Sequence, residues 1–294
     1  MSDEGAALTW GVTRRLEFIE FRLFWEGGVN RSDIIKMFGV SVPQASKDLT
    51  LYQDRAPANA VYDKRAKRYV AGPDFVPTFQ SPDPSGYLSR LRSLAEGLTD
   101  PFESWIASPP EVDVAITPRR RVESSVLRGV LTAIREGASL EAHYQSMSVE
   151  RSDPEWRRMS PHALGYDGFR WHVRGFCHID GKFKDFLLPR ILGVRKPGLP
   201  GALAADDDQW NRTFDLAIGP HPELTPNQKA IVAKDFGMVD DRAVLTIRYA
   251  MLFYVLKRLG LLGDASRLSA RTQHIVALNR TEMDAALKAA DFQV

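Results

Sequence analysis

Over the first seventy positions apolar residues recur at helical spacing. In TRRLEFIEFRLFWEG, Leu16, Ile19 and Leu23 share one face, which predicts an amphipathic helix with that face buried. NRSDIIKMFG follows, with Asn30 as N-cap, Ile34, Ile35 and Phe38 as buried positions, and Gly39 where a helix ends in a left-handed residue. Ser41, Val42, Pro43 and Gln44 then have the S-x-x-Q form of a capping box, with proline in the first turn where its missing N–H costs nothing. On the helix they open, Ala45, Leu49 and Tyr52 make the buried stripe. AVYDKRAKRYVAG adds two short β-prone runs around a turn, and two capped helices followed by a hairpin predict a winged helix-turn-helix.

The pattern then changes three times. GPDFVPTFQSPDPSG reads as a linker, because proline blocks both helix and sheet pairing. The helix after it, SGYLSRLRSLAEGL, carries Leu88, Leu91, Leu94, Ala95 and Leu98 at helical spacing and could bridge two domains; Pro109 and Pro110 mark its exit. A helix over 121–135 precedes the runs LEAHYQS, HALGYDG, RWHVRGFCHIDG and KDFLLPRILGV, the pattern of a small antiparallel barrel. KPGLPGALAADDDQW reads as a second linker. Beyond it, a strand from about Arg212, a helix over 225–236, a strand over 242–248, a helix over 251–259, a strand over 274–278 and a helix after Thr281 predict an α+β module. The expected fold class is therefore α+β and multidomain. Its parts are a DNA-binding head over 1–78, a linker helix region over 79–110, a barrel domain over 111–196 and a C-terminal domain over 197–294.

Composition excludes several alternatives. With 294 residues and 44% hydrophobic content the chain buries more than one core, and 26% charge is that of a globular protein. No run of eighteen apolar residues and no hydrophobic leader occurs, so a cytoplasmic location without membrane contact is expected. Cys177 is the single cysteine, which rules out an internal disulfide and a zinc ribbon; no metal or cofactor is expected. The net charge of +2 says little until it is located: Lys64, Arg65, Lys67 and Arg68 stand against one acid, Asp63. Phosphates feel such local density, because salt screens distant charge within about 8 Å. Residues 1–72 carry only 11 basic and 9 acidic side chains, so DNA binding requires a dimer.

On the second helix of the motif, Ser46, Lys47 and Thr50 lie opposite the buried stripe and Gln44 lies at its edge. These side chains suit major-groove readout, an amide for adenine and an ammonium for guanine or phosphate. The wing of Lys64, Arg65, Lys67 and Arg68 suits phosphates or the minor groove. VSVPQASKDL resembles the recognition segment of DeoR-type winged-helix repressors, through Val40, Ser41, Lys47, Asp48 and Leu49.

In the barrel segment, alternation puts Trp171, Val173, Gly175 and Cys177 on a core side. His172, Arg174 and His178 fall on a side open to solvent or to an anionic ligand. Tyr144, Ser146, His162, Arg174 and Arg190 would hold a phosphate or a nucleic-acid segment by guanidinium forks, a hydroxyl, an imidazole and a ring. The triplet Arg119–Arg121, at the start of a helix, points either to a partner phosphate or to a solvated helix entrance.

HALGYDGFRWHVRGF, preceded by YQS and followed by FLLPRI, resembles the WYL domain, an Sm-like or SH3-like barrel fused to bacterial winged-helix regulators. The name-giving Trp-Tyr-Leu is here Trp171, His172 and Val173, a variant similar to the CBASS-associated and BREX-associated repressors of anti-phage defence operons. The resemblance covers the whole chain, and it implies that the C-terminal WYL-extension module dimerises and that Tyr144, Ser146, His162, Arg174 and Arg190 match the ligand pocket. The expected function is a homodimeric repressor on an inverted-repeat double-stranded operator, responsive to a nucleotide or single-stranded nucleic-acid effector, and not an enzyme. The alternatives are an activator, a nucleic-acid-binding subunit of a defence complex, and a hydrolase built on Ser146 and His162 with Asp153 or Asp167. No G-x-S-x-G, H-E-x-x-H or P-loop supports the last.

Overall fold

The computed structural model describes residues 8–115, 118, 120–148 and 152–290. The chain forms two compact units, 1–117 and 118–294.

The first unit is built on α1 (Trp10–Trp25), α2 (Arg31–Phe38) and α3 (Val42–Arg55), followed by β1 (Ala60–Asp63), β2 (Arg68–Ala71), α4 (Pro84–Ala95) and α5 (Pro101–Ser104). Leu16, Ile19 and Leu23 of α1 are buried together with Ile34 of α2 and Ala45, Leu49 and Tyr52 of α3, which is the stripe that the spacing predicts. The reciprocal capping box sits on α2, where Asn30 Oδ1 accepts from the Asp33 amide at 3.2 Å and Asp33 accepts from the Asn30 amide at 2.8 Å. Gly39 closes α2 at φ 64°, in the left-handed region. On α3 only half of the expected box forms. Ser41 caps the Gln44 amide at 3.4 Å, while the Gln44 side chain donates to Asp48 at 2.9 Å, because that buried carboxylate needs donors.

The proline-rich stretch is tied to this core rather than strung between domains. Fully buried Glu20 on α1 accepts from the amides of Thr78, Phe79 and Gln80 at 2.8–2.9 Å. Asn59 accepts from the Val76 amide at 2.9 Å and donates back to its carbonyl at 2.6 Å. Beyond the stretch, Leu91 of α4, Trp105 and Ile106 are buried in the same core. The helix read as a bridge thus packs one face on the winged helix.

The second unit opens with α6 (Ser124–Glu136), whose Val126, Val130 and Ala133 cover a sheet of β3 (Ser139–Tyr144), β4 (Glu155–Tyr166), β5 (Trp171–Cys177), β6 (Lys182–Leu187) and β7 (Ile191–Gly198). The antiparallel order β6-β5-β4-β3-β7 is a four-strand meander, β3 to β6, with a fifth strand, β7, returning beside β3, the small-barrel layout expected. Twelve-residue β4 serves both halves, its N-terminal part pairing with β3 and its C-terminal part with β5. A bulge between Pro161 and Ala163 lets it bend, and it leaves His162 without a register partner. Gly175 faces this bend, where a Cβ would lie 2.8 Å from the Ser160 carbonyl oxygen.

After α7 (Asp208–Asn211) come β8 (Thr213–Pro220), α8 (Pro226–Asp235), β9 (Ala243–Arg248), α9 (Tyr249–Leu259), β10 (Ile275–Ala277) and α10 (Arg280–Ala289), with sheet order β10-β8-β9. These elements match the expected strand and helix sequence to within a few residues, and Leu216, Ile218, Leu252, Leu256 and Met283 form their core. Among the described residues no helix is long and apolar enough to cross a membrane.

Candidate functional site

The winged helix presents a narrower polar surface than its residue types suggest. On α3, Lys47 and Thr50 are exposed, one turn apart on the side opposite Leu49. Ser46 is half-buried and receives a hydrogen bond from Arg31 of α2 at 3.3 Å, which puts a second cation beside the face; the sequence reading had passed over Arg31. Gln44 is engaged with Asp48, which Arg15 of α1 grips through Nε at 2.6 Å and Nη2 at 3.2 Å. That bridge fixes the rotation of α3 about α1 and thereby the direction in which Lys47 and Thr50 point.

In the wing, β1 and β2 pair from Ala60↔Ala71 to Asp63↔Arg68. Asp63 accepts from the Arg65 and Ala66 amides at 2.7 and 3.0 Å, and Lys67 closes the turn at φ 52°. Lys64, Arg65 and Lys67 are left exposed at the tip. Arg68 turns back: its Nη2 donates to the Glu26 carbonyl at the end of α1 at 3.3 Å, and a Cβ on Gly28 would lie 2.4 Å from its Nε. The structure thus separates Arg68, a packing residue, from the three cations at the tip.

The polar face of β5 is buried, not open as alternation suggested, because the segment 203–212 and α9 lie over it. Arg174 reaches Asp207 through Nε at 2.7 Å and Nη2 at 2.9 Å, and Asp185 on the neighbouring strand through Nη1 at 3.2 Å. The bulge aims His162 to the same place, where its Nε2 meets Asp207 at 2.9 Å. Burial opposes the charge on Asp207, but the hydrogen bonds from His162 and Arg174 outweigh it and hold the carboxyl at about 2. An ionised carboxylate only accepts, so His162 carries its proton on Nε2. Asp185 accepts from the Tyr254 hydroxyl of α9 at 3.2 Å, and burial and then Asp185 push that phenol up. Tyr254 in turn lies 3.5 Å from Nδ1 of His172, whose Nε2 meets Asp167 at 3.1 Å. A continuous polar chain thus runs from the barrel into the C-terminal module. His178 stands apart from it, against Ser160 at 2.8 Å.

Of the residues read as core-facing, Trp171 departs from that reading and Cys177 keeps to it. Trp171, the first residue of β5, is about half exposed and packs its ring on cross-strand Tyr166 at 4.8 Å. Cys177 is buried and its thiol donates to Asp180 at 3.2 Å.

The five residues proposed for a ligand divide into two groups. His162 and Arg174 share Asp207. Tyr144, by contrast, is a core residue whose hydroxyl accepts from the Leu187 amide at 3.2 Å and whose ring meets Phe186 at 5.3 Å. Beside it, the Gln145 amide donates to the Arg190 carbonyl at 3.0 Å, and Ser146 meets Ser148 at 3.1 Å. The Arg190 guanidinium makes no hydrogen bond or ion pair with the described residues. Arg157, which sequence reasoning missed, is buried over the Tyr144 ring and pairs with Glu155. Ser146 and His162 share no hydrogen bond among the described residues, and Asp167 serves Arg170 and His172, so the arrangement expected of a hydrolase is not assembled. Of the arginine triplet, Arg119 lies outside the described residues. Arg120 lies 5.0 Å over the Phe169 ring, and Arg121 is exposed three residues ahead of α6.

Three family models match the chain in series. They are described as the BrxR transcriptional regulator winged helix-turn-helix domain at 11–93, the WYL domain at 125–196 and the BrxR transcriptional regulator C-terminal dimerization domain at 213–283. The chain is similar to the DNA-binding transcriptional repressor CapW of Stenotrophomonas maltophilia, at 40% identity over 287 residues, 96% of this chain and 94% of that protein. CapW of Pseudomonas aeruginosa is 38% identical over 93% of this chain and 91% of its own, and CapW of Escherichia coli (strain KTE188) 37% over 95% and 93%. Among solved structures, Proteasome accessory factor B/C (PafBC) of Arthrobacter aurescens matches at 16% identity and a TM-score of 0.28, over 94% of this chain and 46% of that one.

Proposed function

The chain belongs to the family of CapW DNA-binding transcriptional repressors, with their winged-helix, WYL and C-terminal dimerization domains, and from that premise we propose that it is itself a homodimeric repressor. In this reading Lys47 and Thr50 of α3, with Gln44 and Ser46 at the margin, enter the major groove, and Lys64, Arg65 and Lys67 hold phosphates beside it. The observation that carries it is the capped pair α2 and α3, with Lys47 and Thr50 turned outward by the Arg15–Asp48 bridge and three cations exposed at the wing tip. A single head of low net charge binds weakly, so the 213–283 module supplies the second copy and the operator is an inverted repeat. The barrel senses an anionic effector, a nucleotide or single-stranded nucleic acid, through His162 and Arg174. The regulated genes belong to anti-phage defence.

We take 1–78 as the reading head, 79–110 as its supporting helix region, 111–196 as the sensor and 197–294 as the clasp. A mobility shift with the DNA upstream of the protein's own reading frame tests the central claim. Retarded complexes that weaken in Lys47→Ala and Arg65→Ala support it, and unchanged affinity in both variants overturns it.

A further inference from the structure

Asp207 is the one buried residue in the run 203–208, and its neighbours Asp206 and Asp208 are exposed. That run offers the barrel no apolar anchor, since Leu203 and both alanines after it point to solvent. What holds that run there is polar, and just beyond it Trp210 packs edge-on against the His162 ring at 5.8 Å. Two parallel N–H groups of Arg174 and the imidazole of His162 converge on one carboxylate at 2.7–2.9 Å, and the Trp210 amide adds a fourth donor at 3.2 Å. This is the donor set that a phosphate or carboxylate group of a ligand would take. A cavity of about 340 Å³ adjoins it, lined in part by Arg174, Lys184, Gln209 and Tyr254.

We propose that Asp207 is a tethered competitor for the anion seat of the barrel. A phosphate-bearing effector enters from the adjoining cavity, takes the grip of Arg174 and His162, and frees the segment 203–211. The inference rests on the reading of the barrel as an anion sensor and adds how that sensor is held closed.

The energetics favour exchange over spontaneous opening. Withdrawing Asp207 leaves a buried guanidinium short of one carboxylate, which is costly unless another anion arrives. Asp185 stays on Nη1 throughout, braced by Tyr254, so the guanidinium keeps its position while its partner changes. Because the segment joins β7 to β8, its release is transmitted directly to the module that pairs two copies. An internal competitor also lowers apparent affinity by the fraction of time the seat stands open.

The test uses the full chain, with adenosine monophosphate and a fluorescein-labelled five-residue oligothymidylate as probes, so that a free nucleotide and a single strand are told apart. Asp207→Asn, which keeps the shape and removes the charge, is expected to bind at least one probe about tenfold or more tighter than the unmodified protein, and Arg174→Lys in that background is expected to abolish the gain. Equal or weaker binding by Asp207→Asn overturns the proposal, as does a gain that survives Arg174→Lys or no binding of either probe to either protein. Hydrogen exchange on the unmodified chain gives a reading that needs no variant. With probe present, amides of 203–211 should exchange faster while those of β8 and β9 do not, and an unchanged pattern counts against the proposal. An operator shift on the same preparations separates the two failures: operator binding without a probe effect sinks the competitor alone, and loss of operator binding in the unmodified chain sinks the repressor reading.

Discussion

The Tyr52 hydroxyl of α3 donates to Glu20 Oε2 of α1 at 3.1 Å, and that same carboxylate accepts three consecutive backbone amides, Thr78 to Gln80. One buried charge thereby joins the recognition helix, the first helix and the stretch after the wing. Asn59 completes the cluster by donating to the Tyr52 oxygen at 3.3 Å and clamping Val76.

Glu20→Gln should lower the stability of the 1–117 unit by about 3 kcal/mol, because an amide NH₂ is turned toward backbone donors that it cannot accept from. Tyr52→Phe removes one of several donors and should cost only about 1 kcal/mol. Urea unfolding followed by tryptophan fluorescence checks both, and equal effects would show that the carboxylate is not the hub.

Operator affinity should divide the cations of the reading head in two. Lys47→Ala and Arg65→Ala each remove an exposed cation and should weaken operator binding about three- to tenfold, with the slope against log salt falling by about 1 for a phosphate contact. Arg68→Ala should leave that slope alone and lower the stability of the 1–117 unit by about 1 kcal/mol, since its guanidinium serves the end of α1. Titrations at several salt concentrations give the slopes. A slope change for Arg68→Ala equal to that for Arg65→Ala would show that Arg68 leaves its packed position on DNA.

What could be read from the chain follows from how local each cause is. Asn30, Gly39 and Ser41 announce α2 and α3 because caps act within three residues. Glu20 announced nothing, because Tyr52 lies 32 residues away, its three backbone partners about sixty, and an acidic residue in a helix is ordinary. Arg174 drew notice as a cation on a strand, but its partner Asp207 sits 33 residues on, in a stretch whose prolines and glycines marked a linker. The only hint there was the acidic run Asp206–Asp208, which composition reads as solvated. His162 looked like one of several histidines until the bulge in β4 set its direction.

Acid should unfold the second unit by a route traceable to two carboxylates. Burial raises Asp207 and Asp167, but hydrogen bonds from His162 and Arg174 to the first, and from Arg170 and His172 to the second, hold both at about 2 against an ordinary 3.8. A depressed value means that the unfolded chain takes up protons first as pH falls. The stabilisation is therefore complete above 3.8 and lost between there and about 2. Urea midpoints measured across that range should drop in the unmodified chain. Asp207→Asn should start lower at neutral pH and fall less steeply, and a flat profile in the unmodified chain would exclude these pairs as contributors.

The last prediction concerns the clasp. Strand β9 lies at the edge of its sheet, bonded among the described residues to β8 alone, and it exposes Val244 and Thr246. An edge strand presents unpaired N–H and C=O groups that another chain can complete. Ile231 of α8 and Val239 in the following turn add apolar surface within the same matched dimerization module, and Val239 is 75% exposed. If two copies meet on this face, Val244→Asp places two carboxylates in one interface and should weaken the dimer at least about tenfold. Operator retardation should fail in parallel, because one head of low net charge is left to hold the DNA. Val112→Asp, at an exposed apolar site in the other unit, is the control and should change neither. Sedimentation equilibrium decides: a Val244→Asp protein that stays dimeric at the concentration where the unmodified chain does would move the clasp to another face of the module.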